Sequence, residues 1–195
     1  MLASSLLAPY QRFIIEPLLR LTFIKKRKPA SLTLTALIFG IITLPLIAFN
    51  YPYLAIGTLL ISGFFDTLDG SLARHLNMIS NRGALFDIFS DRIVELSVVM
   101  GLFLYDPIPR ALTSLLMVGS ILLCVTSLLI VGIFKENEKN STSHQPPGII
   151  ERAEAFVFFL AMILFPKYFF ILSTLFSLLM LSLAPIRLIK FLKAK

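Results

Sequence analysis

The chain has 195 residues, enough for one domain, of which 57% are hydrophobic and 15% charged, with mean hydropathy +0.87. A soluble domain carries about 45–50% apolar and about 25% charged residues, so this balance excludes a disordered or fibrous chain and argues against a soluble globular enzyme. A single cysteine, Cys124, and two histidines, His75 and His144, exclude a disulfide framework, a cysteine zinc site and a polyhistidine metal site, and a net charge of +7 on so apolar a chain points to an anionic membrane face rather than nucleic acid.

In chain order, residues 5–24 alternate Leu6, Leu7, Phe13, Ile14, Leu18 and Leu21 with Arg12, Glu16 and Arg20. This pattern predicts an amphipathic helix on the membrane interface. No basic n-region precedes it, and Pro9 interrupts a very short apolar run, so it does not read as a signal peptide. Six apolar stretches follow, at about 31–49, 53–65, 83–105, 109–134, 149–165 and 168–188. A spanning helix needs roughly 20 mostly apolar residues, so the second stretch must borrow from the residues after it and the fifth is short. Runs of this length without period-2 alternation are not barrel strands. Asn50-Tyr51-Pro52, Asp106-Pro107-Ile108-Pro109 and Pro166-Lys167 read as tight turns, and 135–148 as the one long polar loop. The expectation is an all-α polytopic protein. It has a single domain over 1–195: an interfacial helix and basic linker over 1–30, and a six-helix bundle over 31–190. All of the 18 Lys and Arg except Arg110 and Lys167 fall on one side of this layout. The positive-inside rule then places both termini in the cytoplasm.

The chemistry lies in residues 66–91. Asp66 and Asp69 are three apart, and Asp87 and Asp91 four apart, so each pair shares a helix face. Two antiparallel helices joined by a turn near 75–82 can bring the pairs together. A carboxylate at mid-bilayer costs roughly 2.5–3.5 kcal/mol, less near the cytoplasmic edge where these fall. Arg74 and Arg92 lie close in sequence, and local pairing with them leaves negative charge over. Carboxylate oxygens are hard ligands suited to Mg²⁺, Mn²⁺ or Ca²⁺. Gly70, Ala73 and Gly83 stand one helical turn from an Asp, where small side chains leave room for close helices or a ligand.

The pattern Asp-x2-Asp-Gly-x2-Ala-Arg-x8-Gly-x3-Asp-x3-Asp resembles the signature of the CDP-alcohol phosphotransferases. Asp66, Asp69, Gly70, Ala73, Arg74, Gly83, Asp87 and Asp91 fill every fixed position. The resemblance implies transfer of a phosphatidyl group from CDP-diacylglycerol to a small polar alcohol, with release of CMP, in phospholipid synthesis. It implies two Mg²⁺ or Mn²⁺ ions, one held by Asp66, Asp69 and Asp87 and a second shared by Asp91. It makes Asp91 the general base. Asp66, Asp69, Gly70, Ala73, Arg74 and Gly83 would bind CDP. It also implies a homodimer in the bacterial inner membrane, among membrane lipids, with a cytoplasmic site and no nucleic-acid partner.

For the acceptor, Gly148-Ile149-Ile150-Glu151-Arg152-Ala153-Glu154 is similar to the Glu-Arg-x-Glu stretch of members that accept inositol phosphate. Gly132-Ile133-Phe134-Lys135-Glu136 departs from the Gly-Lys-x-Lys-Thr of glycerophosphate-accepting members. Arg152, Lys135 and Arg187 are the candidate acceptor-phosphate ligands. A phosphorylated polyol is therefore expected, inositol phosphate before glycerol 3-phosphate, with serine as the alternative acceptor. A non-enzymatic cation-binding membrane protein is the rival class. A transporter would place its acids near the midplane, often with repeated halves, and a prenyl-transferring enzyme would carry adjacent Asp pairs. Neither feature is present.

Overall fold

A computed structural model describes residues 15–19, 27–136 and 149–193; the side chains of 16, 135, 136 and 149–153 fall outside that description. The described chain is helical, with no strand among the described residues. Its elements are α1 (Glu16–Leu19), α2 (Pro29–Ala48), α3 (Pro52–His75), α4 (Asn81–Tyr105), α5 (Pro107–Glu136), α6 (Ile149–Leu164), a 3₁₀ turn (Pro166–Tyr168) and α7 (Phe169–Lys193). α2, α5 and the stretch from the 3₁₀ turn through α7 are long and apolar enough to cross a membrane. α3 and α4 carry the acidic residues, and α6 has 16 residues. Each of the six apolar stretches lies largely within one of α2–α7.

The chain divides into two compact units, Met1–Tyr105 and Asp106–Lys195. In the first, α2 is the central element, with α3 and α4 both packed along it. The α2–α4 crossing is close because two glycines allow it. A Cβ at Gly40 would collide with Val94, and one at Gly101 would lie 2.9 Å from the Leu44 carbonyl oxygen. The α2–α3 contact is tied by polar bonds. The Ser62 hydroxyl donates to the Ala36 carbonyl (2.7 Å), and Thr43 and Thr58 share a bond of 3.0 Å. Inside an apolar environment such bonds are directional ties between helices. Ile15 and Leu19 pack with Leu32, Leu68 and Leu72, so the described part of the amphipathic N-terminal segment is helical over Glu16–Leu19 and buries apolar side chains against α2 and α3. Residues 5–14 and 20–24 of that segment lie outside the described residues.

The turns follow from two asparagines. α2 ends with Asn50 at φ 62°, and α3 with Asn77 at φ 53°. At each, the next N–H reaches back to close the helix: Tyr51 to Leu46 (2.8 Å) and Met78 to Ala73 (2.9 Å). The asparagine N–H groups bond Ile47 (3.0 Å) and Arg74 (3.3 Å). These are Schellman ends, in which a left-handed residue satisfies the last carbonyls; asparagine accepts that conformation more readily than most residues. Pro52 then starts α3 at its first turn, where a missing N–H costs nothing. Ser80 starts α4: its hydroxyl accepts the Gly83 N–H at 3.1 Å, an N-cap bond.

In the second unit α5 and α7 form the main pair, with α6 packed on α7. Phe176 is fully buried against Phe158 and Phe159, at ring distances of 5.8 and 5.5 Å. Arg110, at the start of α5, is buried; its guanidinium lies 4.2 Å from the Phe169 ring centroid and donates to the Pro166 carbonyl at 3.4 Å. A cation over an aromatic face is an economical way to seat a charge at an apolar helix end.

Candidate active site

The site belongs to the first unit, at the end where α3 runs into α4. Asp66 and Asp69 sit on the last turns of α3, and Asp87 on the second turn of α4. The five-residue connection, 76–80, folds α4 back so that one carboxylate oxygen from each of the three lies within 4.8 Å of the others. The expected meeting of the two pairs is thus realised for Asp66, Asp69 and Asp87. Asp91, one turn further along α4, is not one of that close triad. Its carboxylate lies 3.9 Å from the Arg92 guanidinium, and Arg92 pairs more tightly with Glu95 at 2.7 Å. Glu95 was not anticipated from sequence, although its position one turn after Asp91 is visible there.

Asp69 is the most enclosed acid among the described residues, 4% exposed. Thr33 of α2 and the Gly70 backbone N–H lie near its carboxyl, and the Thr33 hydroxyl itself donates to the Pro29 carbonyl at 3.3 Å. One oxygen, Oδ2, is shut off from solvent and has no hydrogen-bond partner. A buried carboxylate oxygen without a donor is unusual and calls for an explanation such as an ion. Three hard oxygen ligands converging on one point, one of them waiting for a donor, fit a divalent cation.

The small residues of the motif lie on the same two helices as the acids. The Arg74 guanidinium lies back along α3 over Gly70, where an added Cβ would stand 3.6 Å from Nη1, and it donates to Ser71 at 3.2 Å. Arg74 is otherwise exposed. Gly83 stands against Ser80, whose hydroxyl oxygen would be 3.2 Å from a Cβ there. Ala73 is half-buried on the same turn of α3.

The three candidate acceptor residues belong to the second unit. Arg187, on α7, is partly buried, and its Nη1 donates to the Cys124 carbonyl and the Ser127 hydroxyl of α5, both at 2.7 Å. Lys135 lies in the last turn of α5 and Arg152 in the first turn of α6; their side chains are outside the described residues.

Comparison with known proteins settles the family. The CDP-alcohol phosphatidyltransferase family profile matches residues 27–186. The chain belongs to the CDP-alcohol phosphatidyltransferase family. That membership and three helices of spanning length and composition make it an integral membrane protein. A cardiolipin synthase (CMP-forming) from Streptomyces coelicolor is 36% identical over 95 residues, which is 49% of this chain and 40% of that protein. The chain therefore matches less than half the length of this relative.

Proposed function

We propose that the protein transfers the phosphatidyl group of CDP-diacylglycerol to the hydroxyl of a small polar alcohol, releasing CMP. The observation that carries this is the convergence of Asp66, Asp69 and Asp87 around an unpartnered buried oxygen, in a chain of this family. The acceptor oxygen attacks the phosphorus that bears the diacylglycerol, the bond from that phosphorus to the CMP oxygen breaks, and Asp91 takes the hydroxyl proton. Arg74 binds the diphosphate, and Gly70, Ala73 and Gly83 leave room for the nucleotide. Asp66, Asp69 and Asp87 would hold one Mg²⁺ or Mn²⁺ ion and Asp91 would share in a second; such a pair, when bound, neutralises the charge on attacking and leaving oxygens. Six membrane crossings with both termini cytoplasmic, in a bacterial inner membrane, let the acyl chains stay in lipid while the headgroup reacts at the aqueous edge. A homodimer completes the reading.

The acceptor reading is a phosphorylated polyol, inositol phosphate first and glycerol 3-phosphate second, held by Arg152, Lys135 and Arg187. A phosphomonoester carries about −1.5 to −2 charge near pH 7 and suits a basic set, whereas zwitterionic serine does not. The similarity to a CMP-forming cardiolipin synthase favours a second reading, a lipid-borne alcohol whose product is cardiolipin. The test is CMP release from CDP-diacylglycerol by purified protein in detergent, with Mg²⁺ or Mn²⁺ and each acceptor in turn, and lipid products separated. Inositol phosphate should be the best acceptor. Faster turnover of serine, or product formation with phosphatidylglycerol alone, would overturn the polyol reading.

A further inference from the structure

Arg92 lies between two acids of α4. Its Nη1 pairs with Glu95 Oε2 at 2.7 Å, one turn on, and its Nη2 lies 3.9 Å from Asp91 Oδ2. Both acids are enclosed, with side chains 12% and 13% exposed, and Arg92 is half-buried. The Glu95 oxygen of the pair is shut off from solvent, and so is Arg92 Nε, which has no hydrogen-bond partner. Glu95 stands ten positions before Tyr105, the end of α4. At about 1.5 Å per residue that is about 15 Å, half of a hydrocarbon layer of about 30 Å. Where α4 crosses the membrane, as proposed above, the pair lies at mid-depth. Charged side chains there are held in pairs, and removing one partner of an enclosed pair is costly. Arg92 has two carboxylates within reach. A charge-assisted N–H to carboxylate contact is about 2.7–2.9 Å. The geometry therefore gives Arg92 to Glu95 and leaves it about 1 Å short of such a bond to Asp91.

We infer that Glu95 is a positioning residue for the transfer reaction: by holding the Arg92 guanidinium it keeps Arg92 from closing on Asp91. The inference rests on the proposed role of Asp91 as base and extends the site one turn along α4, to a pair outside the eight-residue motif. Without the Glu95 charge, the nearest carboxylate to the Arg92 guanidinium is Asp91. An Asp91 oxygen drawn onto Arg92 is occupied by N–H donors, whereas a general base must lie within hydrogen-bond reach of the hydroxyl it deprotonates.

The experiment compares wild type, Glu95→Gln and the double variant Glu95→Gln/Arg92→Met as purified full chains in detergent. The glutamine keeps the shape of Glu95 and removes its charge; Glu95→Met stands in should it not fold. CMP release from CDP-diacylglycerol is followed with Mg²⁺ and the alcohol that wild type turns over fastest, and kcat and the donor KM are determined, with melting temperatures in parallel. Proton transfer by a positioned group is worth about 10²–10⁴-fold. The expected result is therefore a kcat lowered about tenfold or more in Glu95→Gln, with the donor KM within about twofold of wild type. In the double variant, which has no guanidinium to close on Asp91, kcat should return to within about threefold of wild type. Wild-type kcat in Glu95→Gln overturns the inference. So does a double variant as slow as Glu95→Gln, because Glu95 would then act by itself or through packing rather than through Arg92. A loss confined to the donor KM overturns it as well. Absence of CMP release by the wild type overturns the transfer reading itself, and this inference with it.

Discussion

At the scale of single residues, the four aspartates differ in surroundings, and the differences predict different phenotypes. Asp66, Asp69 and Asp87 crowd three like charges within 4.8 Å. Two unit charges at about 5 Å repel by roughly 3 kcal/mol at an effective dielectric near 20. Replacing any one with Asn should therefore abolish CMP release while raising the melting temperature in chelator, since a repulsive charge is removed without changing shape. Wild-type turnover in folded Asp69→Asn protein would contradict the assignment. Asp91 lies outside the close triad, beside Arg92. Asp91→Asn should lose turnover while retaining CDP-diacylglycerol affinity within a few-fold, as judged by equilibrium donor binding; a loss of donor affinity equal to that of Asp66→Asn would make Asp91 chiefly a ligand. The identities and spacing of these acids are plain in the sequence. The nearness of Thr33 to Asp69 is not, because the two lie on different helices and only the folded chain brings them together. Glu95 is similar: its partner Arg92 is local, but nothing local marks the pair as enclosed.

At the scale of elements, the reach from α3 to α4 depends on the left-handed asparagine that ends α3. The left-handed conformation costs a residue with a Cβ and no compensating side-chain bond about 1–2 kcal/mol. Asn77→Ala should lower stability by about 1 kcal/mol, Asn77→Gly should leave it near wild type, and thermal unfolding in detergent distinguishes them. Glycines in the helices divide in the same manner. Gly101→Ala must push its Cβ against the Leu44 carbonyl, a backbone atom that cannot swing away, and should cost about 1–3 kcal/mol. Gly57 has nothing within 4 Å of an added Cβ, so Gly57→Ala should be neutral or stabilising by up to about 1 kcal/mol. Equal losses at the two positions would contradict the close α2–α4 crossing. The six helices themselves were legible as apolar runs broken by Asn-Tyr-Pro and Pro-Lys turns, because a helix in an apolar solvent declares itself by length and composition. Which glycines mediate contact was not legible, since Gly57 and Gly101 look alike until a neighbour is placed beside one of them.

At the scale of the whole molecule, the chain divides its chemistry. The unit Met1–Tyr105 carries the acids, and Asp106–Lys195 carries the basic residues proposed for the acceptor. Arg187 already donates to Cys124 and Ser127, so its removal tests two roles at once. Under the polyol reading, Arg152→Ala and Arg187→Ala should each raise the acceptor KM about tenfold or more, the equivalent of a charged hydrogen bond at about 1.5–3 kcal/mol. The donor KM should change little. A fall in melting temperature with an unchanged acceptor KM in Arg187→Ala would make that residue a tie between α5 and α7 alone. The family was legible from eight residues in a 26-residue window, because metal and diphosphate chemistry demands fixed residues at fixed helical spacing. Acceptor choice was not, because the basic residues proposed for it have a sequence context that is also that of membrane anchors. The measurement that bears most directly on the central claim is release of CMP from CDP-diacylglycerol by the purified protein, with Mg²⁺ or Mn²⁺ supplied or chelated. The account predicts release that requires the ion and an added alcohol and disappears in Asp69→Asn. Release that persists in chelator, or in Asp69→Asn protein that is folded, would contradict it.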